Sequence, residues 1–115
     1  MTSNPHVTDR RDQLRFPVRA SAQVAYSTKE WDVEIHDMSM TGARLTLLSE
    51  HLLRAGDHIK LSISSKEVGL HLEGHEQLKL HGNIVYIRNN IAGIEYQPTS
   101  EMDKQYLVLL LAQVE

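Results

Sequence analysis

Hydrophobic and polar residues alternate with a period of two along most of the chain between residues 22 and 97. Alternation of this kind is typical of β-strands that have one face on a core and the other in solvent. Around the middle of the second such run, Trp31, Val33 and Ile35 alternate with Asp32 and Glu34. The pattern predicts six strands, at residues 22–26, 30–36, 43–48, 58–64, 77–88 and 91–97.

Short polar segments separate these runs and predict the connections between strands. Residues 27–29 and Asn89-Asn90 predict tight turns, since Asn tolerates positive φ. Residues 49–55 predict a short helical or 3₁₀ connector that Gly56 closes. Pro17 fits a sheet edge or the start of a strand, because proline cannot donate a hydrogen bond to a neighbouring strand.

The pattern is weaker in two places. The apolar phase weakens at Gly82, which predicts a bulge within the fifth strand. Residues 65–76 contain an alternating Val68, Leu70 and Leu72, so this segment either extends a hairpin or forms a loop.

The last segment, residues 100–114, predicts a helix. Pro98 stops the sheet, and Ser100 is a suitable N-cap with acidic residues in the first turn. Residues 106–112 are apolar on all sides, whereas a helix on a barrel needs one apolar stripe. Either the barrel or residues 65–76 cover the remainder, or a partner protein or a second copy of the chain binds there. We favour the binding surface, with a homodimer through this helix as one form of it.

Together these elements predict a mainly β fold, a small six-stranded antiparallel β-barrel with a C-terminal α-helix. A length of 115 residues is typical of one domain. The absence of cysteine excludes disulfides and thiolate metal sites.

The charge is unevenly distributed along the chain. The net charge is −3, but residues 1–19 carry +2 and the remainder −5. This asymmetry favours a basic arm that binds a local anionic ligand, and it argues against a long polyanion. The first nine residues are polar, and no apolar run approaches the ~20 residues that span a bilayer. We therefore expect a soluble cytoplasmic protein.

The segment His36-Asp37-Met38-Ser39-Met40-Thr41-Gly42 links the second and third predicted strands. It carries a carboxylate, a hydroxyl and a glycine. Glycine permits positive φ and allows close approach to the backbone. The segment is therefore either a tight turn, in which Asp37 and Ser39 cap the hairpin, or a turn that holds a ligand.

Three arginines, Arg10, Arg11 and Arg15, lie in a short N-terminal segment without strand or helix pattern. Guanidinium groups are bidentate partners of phosphate and of the guanine O6/N7 edge. A carboxylate such as Asp37 can accept from the N1–H and amino group of guanine. The two segments together suit a ligand with both phosphate and guanine, although a solvated, charged tail is the alternative for the arginines.

Arg11-x-x-x-Arg15 followed by Asp37-x-Ser39-x-x-Gly42 resembles the paired signature of PilZ domains, bacterial receptors for cyclic di-GMP. Three glycine-led strands also resemble later strands of that family, and they begin at Gly56, Gly82 and Gly93. The resemblance covers nearly the whole chain. It implies a flexible tail at residues 1–9 and a single domain at 10–115, with a ligand-binding arm at 10–15, a barrel at 16–97 and a helix at 100–114.

The resemblance also implies roles for the signature residues. Arg11 and Arg15 would contact the phosphates and the guanine Hoogsteen edges. Asp37 would accept hydrogen bonds from a guanine, Ser39 would offer its hydroxyl to guanine or phosphate, and Gly42 would leave room for the base.

Two residues outside the signature are further candidates. A basic residue at the position of Arg10 accompanies binding of an intercalated nucleotide dimer in the family, so two molecules per protein are one expectation. Tyr86 precedes the last predicted hairpin and could stack on a guanine, although core or surface packing is its alternative.

The resemblance implies a receptor or adaptor, not an enzyme, that needs no cofactor beyond its ligand. We expect the N-terminal arm to change conformation on binding and the signal to pass by protein–protein contact, with motility, adhesion or biofilm formation as the output. Two alternatives remain. One is a PilZ-like adaptor that binds no nucleotide. The other is a nucleic-acid-binding barrel, which net charge −3 and six aromatic residues disfavour.

The seven histidines raise the question of a metal site. His71 and His75 are four residues apart with Glu73 between them. The metalloprotease motif has Glu directly after the first His, where this chain has Leu72. We expect no metal site.

Overall fold

The computed structural model describes residues 16–64 and 76–113. Within these ranges six strands form a closed antiparallel barrel in the order β1-β2-β3-β6-β5-β4. A single helix, α1, follows β6. The elements are β1 (Ala20–Tyr26), β2 (Lys29–Met38), β3 (Gly42–Leu47), β4 (His58–Ser64), β5 (Gln77–Arg88), β6 (Ile91–Pro98) and α1 (Glu101–Gln113). The predicted fold class is confirmed, and the predicted strands match within three residues at every end.

The barrel interior is filled by the apolar residues whose alternation predicted the strands. Val33 and Ile35 on β2, for example, are fully buried, while Asp32 and Glu34 between them are exposed. Closure of the sheet leaves every strand paired on both sides, so the barrel has no free edge.

Two tight turns confirm the predicted hairpins. Ser27 (φ 58°) and Asn89 (φ 56°) both adopt left-handed backbone conformations. Such conformations match the right-handed twist of the flanking strands in short hairpins.

The predicted helical connector at residues 49–55 is wrong, because this segment is irregular and ends in a turn at Gly56 (φ 95°). Its backbone N–H groups bond elsewhere. Arg54 N donates to Asp57 Oδ2 (2.8 Å), and Leu53 N donates to His51 Nδ1 (3.1 Å). Side-chain acceptors of this kind compete with the helical hydrogen bonds.

The predicted bulge in β5 exists but lies at Val85, not at Gly82. Pairing with β6 shifts between Ile84 and Tyr86, whereas Gly82 pairs with Tyr96 in register. A Cβ on Gly82 would lie 1.8 Å from the Glu95 carbonyl oxygen, so glycine is needed there for close approach of the β6 backbone.

A second bulge lies in β2, where the register shifts between Ile35 and Asp37. Met38, not Asp37, is the next buried residue after Ile35. The extra residue therefore changes which side chains face the core, and it places Asp37 opposite Arg44. His36, the residue between, hydrogen-bonds through Nε2 with Thr46 Oγ1 on β3.

The described chain begins beside the β2–β3 turn. Phe16 N donates to the Met38 carbonyl oxygen (2.7 Å), and Met38 N donates to that of Phe16 (2.9 Å). Pro17 follows this bridge and lies in neither a strand nor a strand start, since β1 begins at Ala20. The predicted place of Pro17 is therefore wrong.

Helix α1 packs on β5 and β6. The predicted N-cap is confirmed, because Asp103 N donates to Ser100 Oγ (3.1 Å). One stripe of the helix is buried, and it comprises Asp103, Tyr106, Leu107, Leu110 and Leu111. The opposite face keeps Met102, Val108 and Leu109 nearly half exposed. No helix in the described residues has the length and apolar character to span a membrane.

Candidate functional site

The turn between β2 and β3 is built around the hydroxyl of Ser39. Ser39 Oγ accepts from Gly42 N (3.1 Å) and Thr41 N (3.2 Å), and Ser39 N donates to the Gly42 carbonyl oxygen (2.8 Å). Ser39 is 2% exposed. The turn is therefore tight, and hydrogen bonds within it account for its conformation.

Tyr96 on β6 fixes this turn from the core side. Its hydroxyl lies 2.6 Å from the Ser39 carbonyl oxygen and 2.8 Å from that of Gly42, so one proton serves two acceptors. Tyr96 is not among the site residues predicted from the sequence. The available signal is that Tyr96 falls in the buried phase of β6, with Ala92 and Ile94, and a buried tyrosine hydroxyl usually has a partner.

Gly42 begins β3 under the backbone of β6. A Cβ at this position would lie 2.6 Å from the Ile94 carbonyl oxygen. Among the described glycines, Gly56 has a positive φ and Gly42 does not. Close strand packing thus accounts for this glycine, while its predicted role of leaving room for a base stays a prediction.

Asp37 lies just before the turn and forms an ion pair with Arg44 on β3. Arg44 Nη2 is 2.9 Å from Asp37 Oδ2, and the carboxylate side chain is 13% exposed. The two residues are direct cross-strand partners because of the β2 bulge. The carboxylate therefore lies on the outside of the barrel with a cation beside it.

Tyr86 is turned outward by the second bulge. Ile84 is buried and Ile87 packs against the core, so without the extra residue at Val85 the alternation would place Tyr86 inside. Its ring lies over Gly93 on β6, where an added Cβ would be 2.1 Å from Cε2 of Tyr86. The side chain is 39% exposed.

Arg88 lies over the same ring. The Arg88 guanidinium carbon is 5.9 Å from the ring centroid of Tyr86. This distance is within the range of a cation–π interaction, which would help to hold the ring in place.

A cleft of about 330 Å³ joins the turn to this ring. Its lining includes Ser39, Gly42, Tyr86 and Gly93. Three of the predicted site residues, Ser39, Gly42 and Tyr86, therefore come together. Asp37 is outside the lining, two cross-strand steps from Gly93, because Asp37 pairs with Arg44 and Arg44 pairs with Gly93.

A larger groove of about 820 Å³ adjoins the cleft and shares Thr41 and Glu95 with it. It crosses the outside of β4, β5 and β6, where Lys60 and His81 are direct cross-strand partners. The cleft thus adjoins a broad surface of mixed polar and apolar character.

The predicted arginines Arg10, Arg11 and Arg15 lie outside the described residues, and their roles stay predictions. The same holds for residues 65–75, which include His71 and His75. Within residues 16–64 and 76–113, no three His, Cys, Asp or Glu side chains are grouped as a metal site would require.

The sequence matches the family model described as PilZ domain over residues 9–113. No curated protein matches the chain in sequence.

Two solved structures share the fold. The PilZ domain of CeSA from a cellulose synthesizing bacterium superposes with a TM-score of 0.65 at 18% identity, over 87% of this chain and 96% of that one. The Bacillus subtilis Inhibitor of motility (MotI/DgrA) gives a TM-score of 0.66 at 19% identity, over 87% of this chain. This chain spans about half of the MotI/DgrA chain, of which 48% is covered.

Proposed function

The chain belongs to the PilZ domain family, and on that ground we propose that it is a receptor for cyclic di-GMP. The observation that carries the proposal is the pair of bulges in β2 and β5. Each moves one residue out of the core phase, Asp37 in one strand and Tyr86 in the other. Bulges that redirect side chains are common beside functional sites.

In our proposal guanine makes two kinds of contact, one with Asp37 beside the cleft and one with Tyr86 in its lining. The Asp37 carboxylate accepts from the N1–H and amino group of the base. The Tyr86 ring, exposed and held over Gly93, stacks on the base face. Stacking on an aromatic side chain is worth ~1–3 kcal/mol per base.

Ser39 and Gly42 act mainly through the backbone of the turn. The Ser39 hydroxyl is already engaged with two turn N–H groups. These two donors use both lone pairs of the hydroxyl, and its one proton is donated to the Gly42 carbonyl oxygen (3.3 Å). We propose that the turn positions Asp37 and forms the floor of the cleft.

Arg10, Arg11 and Arg15 supply the phosphate contacts in this proposal. The bridge between Phe16 and Met38 fixes the point at which the N-terminal segment reaches the barrel. Connectivity keeps the Cα of Arg15 about 3.8 Å from that of Phe16, and that of Arg11 within about 18 Å. The N-terminal segment is therefore attached to the barrel beside the β2–β3 turn, where our proposal places the phosphates.

We propose that nucleotide binding orders this arm against the turn and changes the surface that a partner protein meets. Arginine–phosphate bonds at ~1.5–3 kcal/mol each and guanine contacts at ~1–3 kcal/mol each favour binding. Ordering the arm costs about 1 kcal/mol or more per residue. The balance suits a dissociation constant near micromolar, ~8 kcal/mol, as a reversible signal requires.

The partner surface that we propose is the outer face of α1, where Met102, Val108 and Leu109 are 49%, 48% and 46% exposed. A second copy of the chain or another protein would cover it. A motility or biofilm output fits the two structural relatives, one from a cellulose synthesizing bacterium and one an inhibitor of motility.

A calorimetric titration of cyclic di-GMP into the whole chain tests the receptor proposal. We expect micromolar or tighter binding that Arg11→Ala and Asp37→Ala each weaken by tenfold or more. Arg54→Ala is the matched control, because Arg54 is an exposed arginine of the 49–55 connector and is absent from the cleft lining. A molar ratio of two nucleotides that Arg10→Ala reduces to one would support the intercalated dimer.

A second candidate is an adaptor that binds no nucleotide. It is favoured by one observation: hydrogen bonds and strand packing account for Ser39 and Gly42 without any ligand. Absence of binding in the parent protein, with the fold intact, would select this candidate over the receptor.

A further inference from the structure

We propose that Arg44, which is not part of the family signature, is the residue that positions Asp37 and thereby sets the preference for guanine. This inference rests on the receptor function proposed above. It concerns a side chain of the described barrel, and it makes Arg44 a positioning residue that acts through Asp37.

Arg44 and Asp37 form an ion pair on the outside of the barrel. Arg44 Nη2 contacts Asp37 Oδ2 at 2.9 Å, and the β2 bulge makes the two residues direct cross-strand partners. The Asp37 side chain is 13% exposed and that of Arg44 54%. The guanidinium therefore lies beside the carboxylate and restricts its rotation.

Arg44 lies in the middle of a row of cross-strand partners on the outer face of the barrel. Arg44 pairs with Asp37 on one side and with Gly93 on the other, and Gly93 pairs with Tyr86. The four residues form one row across β2, β3, β6 and β5. Gly93 has no side chain, and the ring of Tyr86 lies over it, so Arg44 and Tyr86 are the successive side chains of this row. Arg44 is thus the side chain between the proposed guanine acceptor and the proposed stacking ring.

A carboxylate can distinguish guanine from adenine by the hydrogen-bonding groups that each base presents. Guanine presents N1–H and an amino group to a carboxylate, whereas adenine has an acceptor at N1. A carboxylate held in one orientation accepts hydrogen bonds from both guanine N–H groups. Adenine N1 would face it as a second acceptor, and the repulsion between the two acceptors weakens adenine binding. A carboxylate that rotates freely loses part of that difference. Arg44 is suited to fix it because its planar group matches carboxylate geometry and stays charged at all relevant pH.

A double-mutant cycle tests the inference. Calorimetry would compare the parent with Arg44→Gln, Asp37→Ala and the double variant, using cyclic di-GMP and cyclic di-AMP as ligands. We expect Arg44→Gln to weaken cyclic di-GMP binding by about tenfold and to narrow the gap between the two nucleotides. In the Asp37→Ala background the same change should have no further effect.

Two further variants separate positioning from a general loss of charge or fold. Arg44→Lys keeps the charge without the planar group, so it should recover part of the guanine preference. Arg54→Gln removes one exposed positive charge elsewhere and should bind like the parent. The thermal unfolding midpoint of Arg44→Gln should stay near that of the parent, since partly exposed ion pairs contribute little to stability.

The outcomes that would overturn the inference differ from those that overturn the receptor proposal. Equal nucleotide binding by parent and Arg44→Gln, tighter binding by Arg44→Gln, or additive effects in the double variant would each refute positioning through Asp37 alone. A parent protein that binds no cyclic di-GMP would refute both proposals together.

Discussion

Gly42 and Gly93 both line the cleft, but a side chain at each would meet a different obstacle. At Gly42 the obstacle is the backbone carbonyl of Ile94, at 2.6 Å from the added Cβ. At Gly93 it is the ring of Tyr86, at 2.1 Å. Backbone in a closed barrel cannot move aside, whereas a side chain at the surface can rotate away. The two glycines should therefore respond differently to the same substitution.

We predict that Gly93→Ala weakens cyclic di-GMP binding several-fold with little change in stability, because the Tyr86 ring must leave its place over β6. Gly42→Ala should instead lower the free energy of unfolding by about 1–3 kcal/mol through strain in the β3–β6 pair. Chemical denaturation and calorimetry on both variants check this. A Gly93→Ala protein that binds like the parent would remove the ring from the site.

Tyr96→Phe tests the hydroxyl that fixes the turn. Two buried carbonyl oxygens, of Ser39 and Gly42, lose this donor, so we predict a loss of about 1–3 kcal/mol in the free energy of unfolding. Nucleotide affinity should fall as well, because the turn loosens. Tyr26→Phe is the control, since Tyr26 is an exposed tyrosine on β1. Equal stability of the two variants would contradict the role given to Tyr96.

At this scale the sequence predicted which residues are polar and near the turn but not what binds them. Tyr96 lies 57 and 54 residues from the two carbonyl groups that it contacts. No local pattern reports a contact over that separation. Asp37, in contrast, was predictable as a site residue from the signature, although its pairing with Arg44 depends on a bulge.

At the scale of the elements, the strands were predictable because period-two alternation reports directly which face is buried. The bulges were harder. A bulge at Gly82 was predicted from a weak apolar phase. The actual bulge lies at Val85, so the next core-facing residue after Ile84 is Ile87 and not Tyr86. The connector at 49–55 was wrong because its N–H groups bond to side chains of His51 and Asp57.

One buried carboxylate joins the start of helix α1 to the barrel, in addition to the apolar stripe. Asp103 is 3% exposed, and its Oδ1 accepts from Lys79 N on β5 (2.9 Å). Its Oδ2 accepts from the hydroxyls of Thr99 (2.5 Å) and Ser100 (2.7 Å). Three donors therefore depend on this side chain, and they join the helix start to the sheet.

We predict that Asp103→Ala lowers the free energy of unfolding by about 3 kcal/mol, because three donors lose a charged acceptor. Glu101→Ala, an exposed acidic residue of the same helical turn, should cost only a few tenths of a kcal/mol. Urea denaturation followed by circular dichroism measures both. Similar losses in the two variants would show that the buried network is not what holds the helix.

At the scale of the whole molecule, the order of strands around the barrel brings distant parts of the chain together. Pairing of β3 with β6 and the bulge in β5 place Tyr86 beside a turn more than forty residues earlier. The periodicity predicted six strands and a barrel, but it carries no information on which strands are neighbours. The family resemblance supplied Ser39 and Gly42 of the cleft, and the structure explains why they lie near Tyr86.

The outer face of α1 bears on assembly. If a second copy covers this face, Leu109→Lys should shift sedimentation equilibrium from dimer to monomer while nucleotide affinity stays unchanged. Leu52→Lys, at an exposed leucine of the 49–55 connector away from this helix, is the control for the added charge. A parent protein that sediments as a monomer at high concentration would exclude the homodimer and leave a different partner protein for this surface.

The most direct test of the account is an NMR titration of the whole ¹⁵N-labelled chain with cyclic di-GMP. We predict that the chemical shifts of the backbone amides of Thr41, Gly42 and Gly93 change with nucleotide concentration along the same saturable curve. The amides of Gln23 and Ser62, a cross-strand pair of β1 and β4 across the barrel from this cleft, should not move. Saturable shifts confined to β1 and β4, or no shifts at millimolar nucleotide, would contradict the proposal that this cleft is the receptor site.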